Sequence, residues 1–195
     1  MKLTLSLVTL FAVSIPAAAD TPATAGKKAP DAKAPDAKGD KMPPPAPPAL
    51  PTPAKELDAV KPYIKTWSCS GTNPAGEKSS VKLSFKRDVG NFWVAVRFDE
   101  AKTKTRPAFL GVAMVGIDPI AKAWVMEGND SMGGTLHLHA ATAAITADAM
   151  AWEGDSVDEG KKVPAKFNFS IDAKTKHLKF VGEFGGVKAI DLDCN

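Results

Sequence analysis

The chain has 195 residues, 44% of them hydrophobic and 24% charged, with a formal net charge of +3. Lys2 contributes one unit of that excess and residues 20–53 another, five lysines against four aspartates, which leaves 19 basic and 18 acidic side chains from Ala54 onward. A nearly neutral domain lacks the basic footprint that nucleic-acid binding needs, so that class of function is excluded.

Met1 to Ala19 carries one positive charge at Lys2, an apolar run from Leu3 to Val13, and Pro16-Ala17-Ala18-Ala19 before Asp20. This is the pattern of a signal peptide, with cleavage expected after Ala19. No cysteine follows that position, so no lipid anchor is expected. The apolar run is shorter than the roughly 20 residues of a bilayer span, and no membrane span is expected once the signal is removed. The chain is expected to be periplasmic or secreted.

Residues 20–53 hold ten of the 16 prolines, the near-repeat Lys28-Ala-Pro-Asp-Ala-Lys33-Ala-Pro-Asp-Ala-Lys38, and no aromatic residue. With nothing to bury, such a segment cannot offset the entropy of ordering and is expected to stay disordered and extended. At about 3.1 Å per residue it could reach roughly 100 Å. Two readings stay open: a spacer that touches the cell envelope, or a low-complexity leader with no partner.

Residues 54–195 suffice for one domain with its own core. Leu57, Val60, Tyr63 and Ile64 recur at three- and four-residue spacing, which predicts a short helix bent or ended by Pro62. The period then becomes two. Val81, Leu83 and Phe85 alternate with polar neighbours, and Phe92, Val94, Val96 and Phe98 do the same across the turn formers Asp88-Val89-Gly90-Asn91. Further strands are predicted over 109–117, 123–128, 135–140, 144–153, 165–171, 178–184 and 187–194. Two connections share a spelling, Ile117-Asp118-x-x-x-Lys122 and Ile171-Asp172-x-x-x-Lys176, in which the aspartate can cap a tight turn. The fold class is all-β and antiparallel, a meander of nine or ten strands with a short helix before the first.

The two cysteines, Cys69 and Cys194, bracket this region. An exported chain with an even cysteine count usually pairs them, and a bridge between first and last strands is natural in a sheet that closes on itself. Cys69 shares a face with Trp67, and Cys194 with Ile190 and Leu192; Lys188, of the same parity, starts that last strand.

A helical lead-in, Lys65-Thr66-Trp67 on the first strand and a meander that returns to it resemble the lipocalin-like (calycin) β-barrels. The aspartate turn, the tryptophan strand and the loop Asp130-Ser131-Met132-Gly133-Gly134 resemble, more narrowly, small secreted bacterial domains of unknown function built on that barrel. The resemblance covers about Leu57 to Cys194, and Lys65 stands where lipocalins usually carry glycine. It implies a cavity that holds a small apolar or amphipathic molecule.

The small residues Gly111, Ala113 and Gly116 on an otherwise apolar strand leave room for such a cavity. Its candidate lining is Trp67, Phe92, Val94, Trp124, Met126, Trp152, Phe167 and Phe169. The alternative is that these side chains simply fill the barrel, leaving a structural or protein-interaction module of the cell envelope. A third reading is a metal-dependent enzyme. His137 and His139 share a strand face within reach of one ion, but sequence does not bring Glu127, Asp148 or His177 beside them. Asp155, Asp158, Glu159 and Gly160 read as a solvated loop, Ser131 lacks a nucleophile elbow, and no phosphate-cradling motif is present. No cofactor and no catalytic residue is expected.

Overall fold

The computed structural model describes residues 51–72, 76–158 and 160–195. The expected signal peptide (1–19), nearly all of the expected linker (20–53) and Glu159 lie outside them.

A 3-10 helix over Lys55–Tyr63 leads into ten strands. They are β1 (Thr66–Thr72), β2 (Lys78–Asp88), β3 (Trp93–Glu100), β4 (Phe109–Asp118), β5 (Ala123–Asp130), β6 (Thr135–Ala140), β7 (Ala149–Asp158), β8 (Lys161–Ile171), β9 (Leu178–Phe184) and β10 (Val187–Cys194). Each pairs antiparallel with its sequence neighbours, and β10 pairs with β1, so the meander closes into a barrel with no free edge. The expected fold class is the observed one.

The closing seam is short. Cys69, Ser70 and Gly71 pair with Cys194, Asp193 and Leu192, and Ser68 and Asn195 exchange backbone hydrogen bonds at 3.0 Å each. Cys69 and Cys194 stand directly opposite with their Cα atoms 3.9 Å apart, and their sulfurs are bonded.

Alternation decides which side chains enter the barrel. Val81, Leu83 and Phe85 on β2, Val94 and Val96 on β3, and Phe167 and Phe169 on β8 are buried, while their neighbours face out. The outward positions form a continuous cross-strand row, His139, Glu153, Lys166, Glu183 and Lys188, in which the last four carry charge of alternating sign. Lys188 reaches that row because the register shifts between Lys188 and Ile190. A β-bulge there takes the lysine off the inward parity of Ile190, Leu192 and Cys194.

The N-terminal helix plugs one end. Leu57, Val60 and Tyr63 are almost fully buried against the strand ends, each apolar side chain contributing about 1.5–3 kcal/mol. Polar ties hold it there: Arg87 of β2 donates to the Leu57 carbonyl at 2.7 Å, and the Trp67 indole donates to the Tyr63 carbonyl at 3.1 Å. The Lys65 ammonium lies 3.5 Å over the Trp67 ring, so the lysine at the glycine position stacks on the indole rather than entering the floor.

The spelled turns fold alike. Asp118 Oδ1 accepts the N–H groups of Ile120 and Ala121, and Asp172 Oδ1 accepts those of Lys174 and Thr175, with Lys122 and Lys176 closing each turn at φ 51° and 60°. The bounds of β7 and the start of β8 differ more from expectation: β7 ends at Asp158 rather than 153 and β8 begins at Lys161 rather than 165. β7 starts at Ala149 rather than 144, because Thr142–Ala144 forms a 3-10 turn and Thr146 Oγ1 donates to Asp148 at 2.7 Å in the loop that follows.

Candidate functional site

Inside the barrel, rings run from the plug to the far end. Tyr63 meets Phe85 at 5.9 Å, Phe85 meets Phe169 at 5.8 Å, and Phe169 stacks on its cross-strand partner Phe180 at 4.2 Å. From Phe180 the column forks to Phe98 and Phe109 on one side and to Phe167 and Phe184 on the other. Small residues stand opposite several of these rings: Gly111 pairs with Phe98, Gly182 with Phe167 and Ala165 with Phe184.

The column does not fill the space beside it. A cavity of about 120 Å³ lies in the half away from the plug, lined by Leu83, Val96, Phe98, Ala113, Met126, Phe167, Phe169 and Phe180 among others. It shares Phe98, Phe109, Asp130, Ser156, Phe184 and Ile190 with a wider mouth of about 540 Å³, where Ser79, Glu100, Arg106 and Asp191 join the lining. The site is a mostly apolar pocket, with Asn129, Asp130, Thr135 and Ser156 in its lining, behind a more polar vestibule.

Three polar residues of the vestibule are buried although they sit in barrel strands. Glu100 is 8% exposed, Ser79 6% and Ser156 8%. Ser79 Oγ donates to Glu100 Oε1 at 2.6 Å, and Ser156 Oγ donates to the Thr135 carbonyl at 3.1 Å. Sequence reading passed over them, yet a signal exists: Glu100 follows Val94, Val96 and Phe98 in phase, and Ser79 precedes Val81, Leu83 and Phe85 in phase. A polar residue on the inward parity of an apolar strand marks an interior that is not wholly dry. Asp130 anchors the β5–β6 turn, its Oδ1 accepting from the N–H groups of Met132 and Gly134. Asp191 is held by Lys179 and Lys188, which keep its carboxyl below the ordinary carboxylate range.

The eight candidate lining residues divide. Met126, Phe167 and Phe169 line the cavity. Val94, Trp124 and Trp152 are buried but line neither it nor the mouth; Trp124 and Trp152 meet edge to face at 6.3 Å. Trp67 is buried and flanks a separate groove with Pro62, Lys65 and Asp148. Phe92 is half-buried in the β2–β3 turn, because Asp88 pairs with Trp93 and β3 begins there. Of the small residues, Gly111 and Ala113 border the cavity, whereas Gly116 faces out beneath the Trp93 ring, which a Cβ there would strike.

His137 and His139 project outward and are more than half exposed. β5 brings Glu127 beside His137 Nδ1, and Glu153 of β7 lies 4.0 Å from His139 Nε2, while His177 is exposed before β9. Among the described residues no group of three or more His, Cys, Asp or Glu side chains is placed to hold a metal ion. Asp155 pairs with Lys162 at 2.7 Å on the same outer surface. Ser131 is occupied structurally, its Oγ accepting from the Leu110 N–H at 3.1 Å. Among the described residues no helix is long and apolar enough to cross a membrane.

No protein-family model matches the chain, and no curated protein does either, so the reading of the site rests on its own geometry.

Proposed function

We propose that the protein is an exported, non-enzymatic, lipocalin-like barrel that carries a small apolar or amphipathic molecule. The observation that carries this reading is the apolar cavity of about 120 Å³ opening to a mouth at one end of a barrel plugged at the other. A filled interior, which the structural or interaction module requires, would have no such space. Dry apolar cavities of about 150 Å³ take up benzene, so this one suits a six-membered ring or a short chain, with the rest of the ligand standing in the mouth. Export is supported by the sequence of residues 1–19 and by the disulfide, which persists in an oxidising compartment such as the periplasm or the exterior. Residues 20–53 then serve as its linker.

Calorimetric titration with 1-octanol tests the carrier reading. Burying eight or nine heavy atoms should give a dissociation constant between about 10 μM and 1 mM. Ala113→Phe, which fills the cavity from β4, should weaken binding at least tenfold while the barrel stays folded. Equal binding by the variant, or no heat for the parent, removes the cavity as the binding site.

A further inference from the structure

Glu100 ends β3 with its carboxylate turned into the mouth and only 7% of its side chain exposed. One oxygen is satisfied, since Oε1 accepts from Ser79 at 2.6 Å. The other is not. Oε2 faces Arg106 Nη1 at 3.6 Å, beyond hydrogen-bond length, and Arg106 is 43% exposed on the loop between β3 and β4. A nearly buried carboxylate whose cation stands beyond hydrogen-bond length on a partly exposed side chain can exchange it for a closer one, and it faces the space a ligand would enter.

The surroundings select the sign of a ligand's charge. The titratable side chains that line the mouth are Glu100, Asp130, Asp191 and Arg106. Asp191 is already bound by Lys179 and Lys188, which leaves two carboxylates against a single, partly exposed guanidinium. An anionic head would sit beside Glu100 and Asp130 and would draw Arg106 away from the carboxylate it neutralises. A cationic head would complete the Glu100 coordination and release Arg106 into water. Phe98, Phe109 and Phe184 line both the mouth and the inner cavity, and aromatic rings beside a carboxylate favour an organic cation further.

We propose that the ligand is a protonated primary amine with a ring-sized or short-chain apolar body, its body in the inner cavity and its ammonium on Glu100 in place of Arg106. This rests on the carrier reading and adds a charge and a contact residue to it.

Isothermal titration of the purified protein at neutral pH with octylamine, 1-octanol and octanoate separates the two. Octylamine should bind at least tenfold more tightly than 1-octanol, and octanoate most weakly. Glu100→Gln should bring octylamine down to the level of 1-octanol and leave 1-octanol within about twofold. Arg106→Ala, with retention of the fold checked by circular dichroism, should tighten octylamine severalfold by removing the competing cation. If 1-octanol or octanoate binds as tightly as octylamine, or if neither substitution changes the preference, the amine assignment is wrong while the carrier reading stands. Absence of binding by all three overturns both.

Discussion

Tyr63 shows how a single buried atom sets a condition on the whole barrel. Its ring closes the aromatic column at the plug, but its hydroxyl is buried without a hydrogen-bond partner among the described residues. Desolvation, reinforced by the Asp148 charge, raises its pKa well above the ordinary value of about 10. Below about pH 10 both folded and unfolded chains keep the phenolic proton and stability does not depend on it. Above that pH the unfolded chain releases the proton and the folded one retains it, so stability should fall by up to about 1.4 kcal/mol per pH unit. Tyr63→Phe keeps the ring and removes the unpaired group. Urea denaturation should find the variant about 1 kcal/mol more stable at neutral pH, with a flatter decline between pH 10 and 11. A loss of stability would mean that the hydroxyl has a partner.

Elements were legible where their two faces differ in polarity, and less so where they do not. β2, β3 and β9 alternate cleanly and were placed within a residue or a few of their ends. Toward the mouth the alternation fades, because inward positions there meet a wet vestibule. β7 runs on past the buried Ser156 to its end at Asp158, and β8 begins at Lys161, before Pro164, in a stretch that reads as loop. The same blurring hid Glu100 and Ser79, while the cavity-lining Met126, Phe167 and Phe169 were visible as ordinary apolar alternation. Which apolar residues border empty space rather than one another depends on cross-strand register, and the eight candidates split for that reason. The paired Asp turns were visible because their chemistry is local. In each, backbone N–H groups hold the aspartate ionised and depress its pKa, and a lysine takes a left-handed conformation that a Cβ disfavours. Lys122→Gly and Lys176→Gly should each leave stability unchanged or raise it by up to about 1 kcal/mol, and the two effects should add, as thermal unfolding would show. A marked loss in either would mean that its lysine makes a contact worth more than the backbone strain.

For the whole molecule, closure depends on a seam of three paired residues and one disulfide. The bridge joins residues 125 apart, and on the chain-entropy model such a loop stabilises by up to about 5 kcal/mol. Cys69→Ser with Cys194→Ser should lower the unfolding free energy by about 3–5 kcal/mol, with reduction of the parent protein giving the same shift in denaturant midpoint. A change under about 1 kcal/mol would place the stability of the seam in its hydrogen bonds and in the buried Trp67, Leu192 and Phe180 around it. The placement of the two cysteines in sequence pointed to the closure, since a sheet that closes on itself makes its first and last strands neighbours that a bridge can join.

An even number of strands has a further effect. β1 enters and β10 leaves at the plugged rim, so among the described residues the opposite rim is built from the connections between consecutive strands. Doubling the length of such a connection costs only about 0.6 kcal/mol. Those connections can be grafted, extended or randomised while the welded rim keeps the barrel shut, which makes this scaffold suited to having new surfaces written onto its far rim by evolution or by hand.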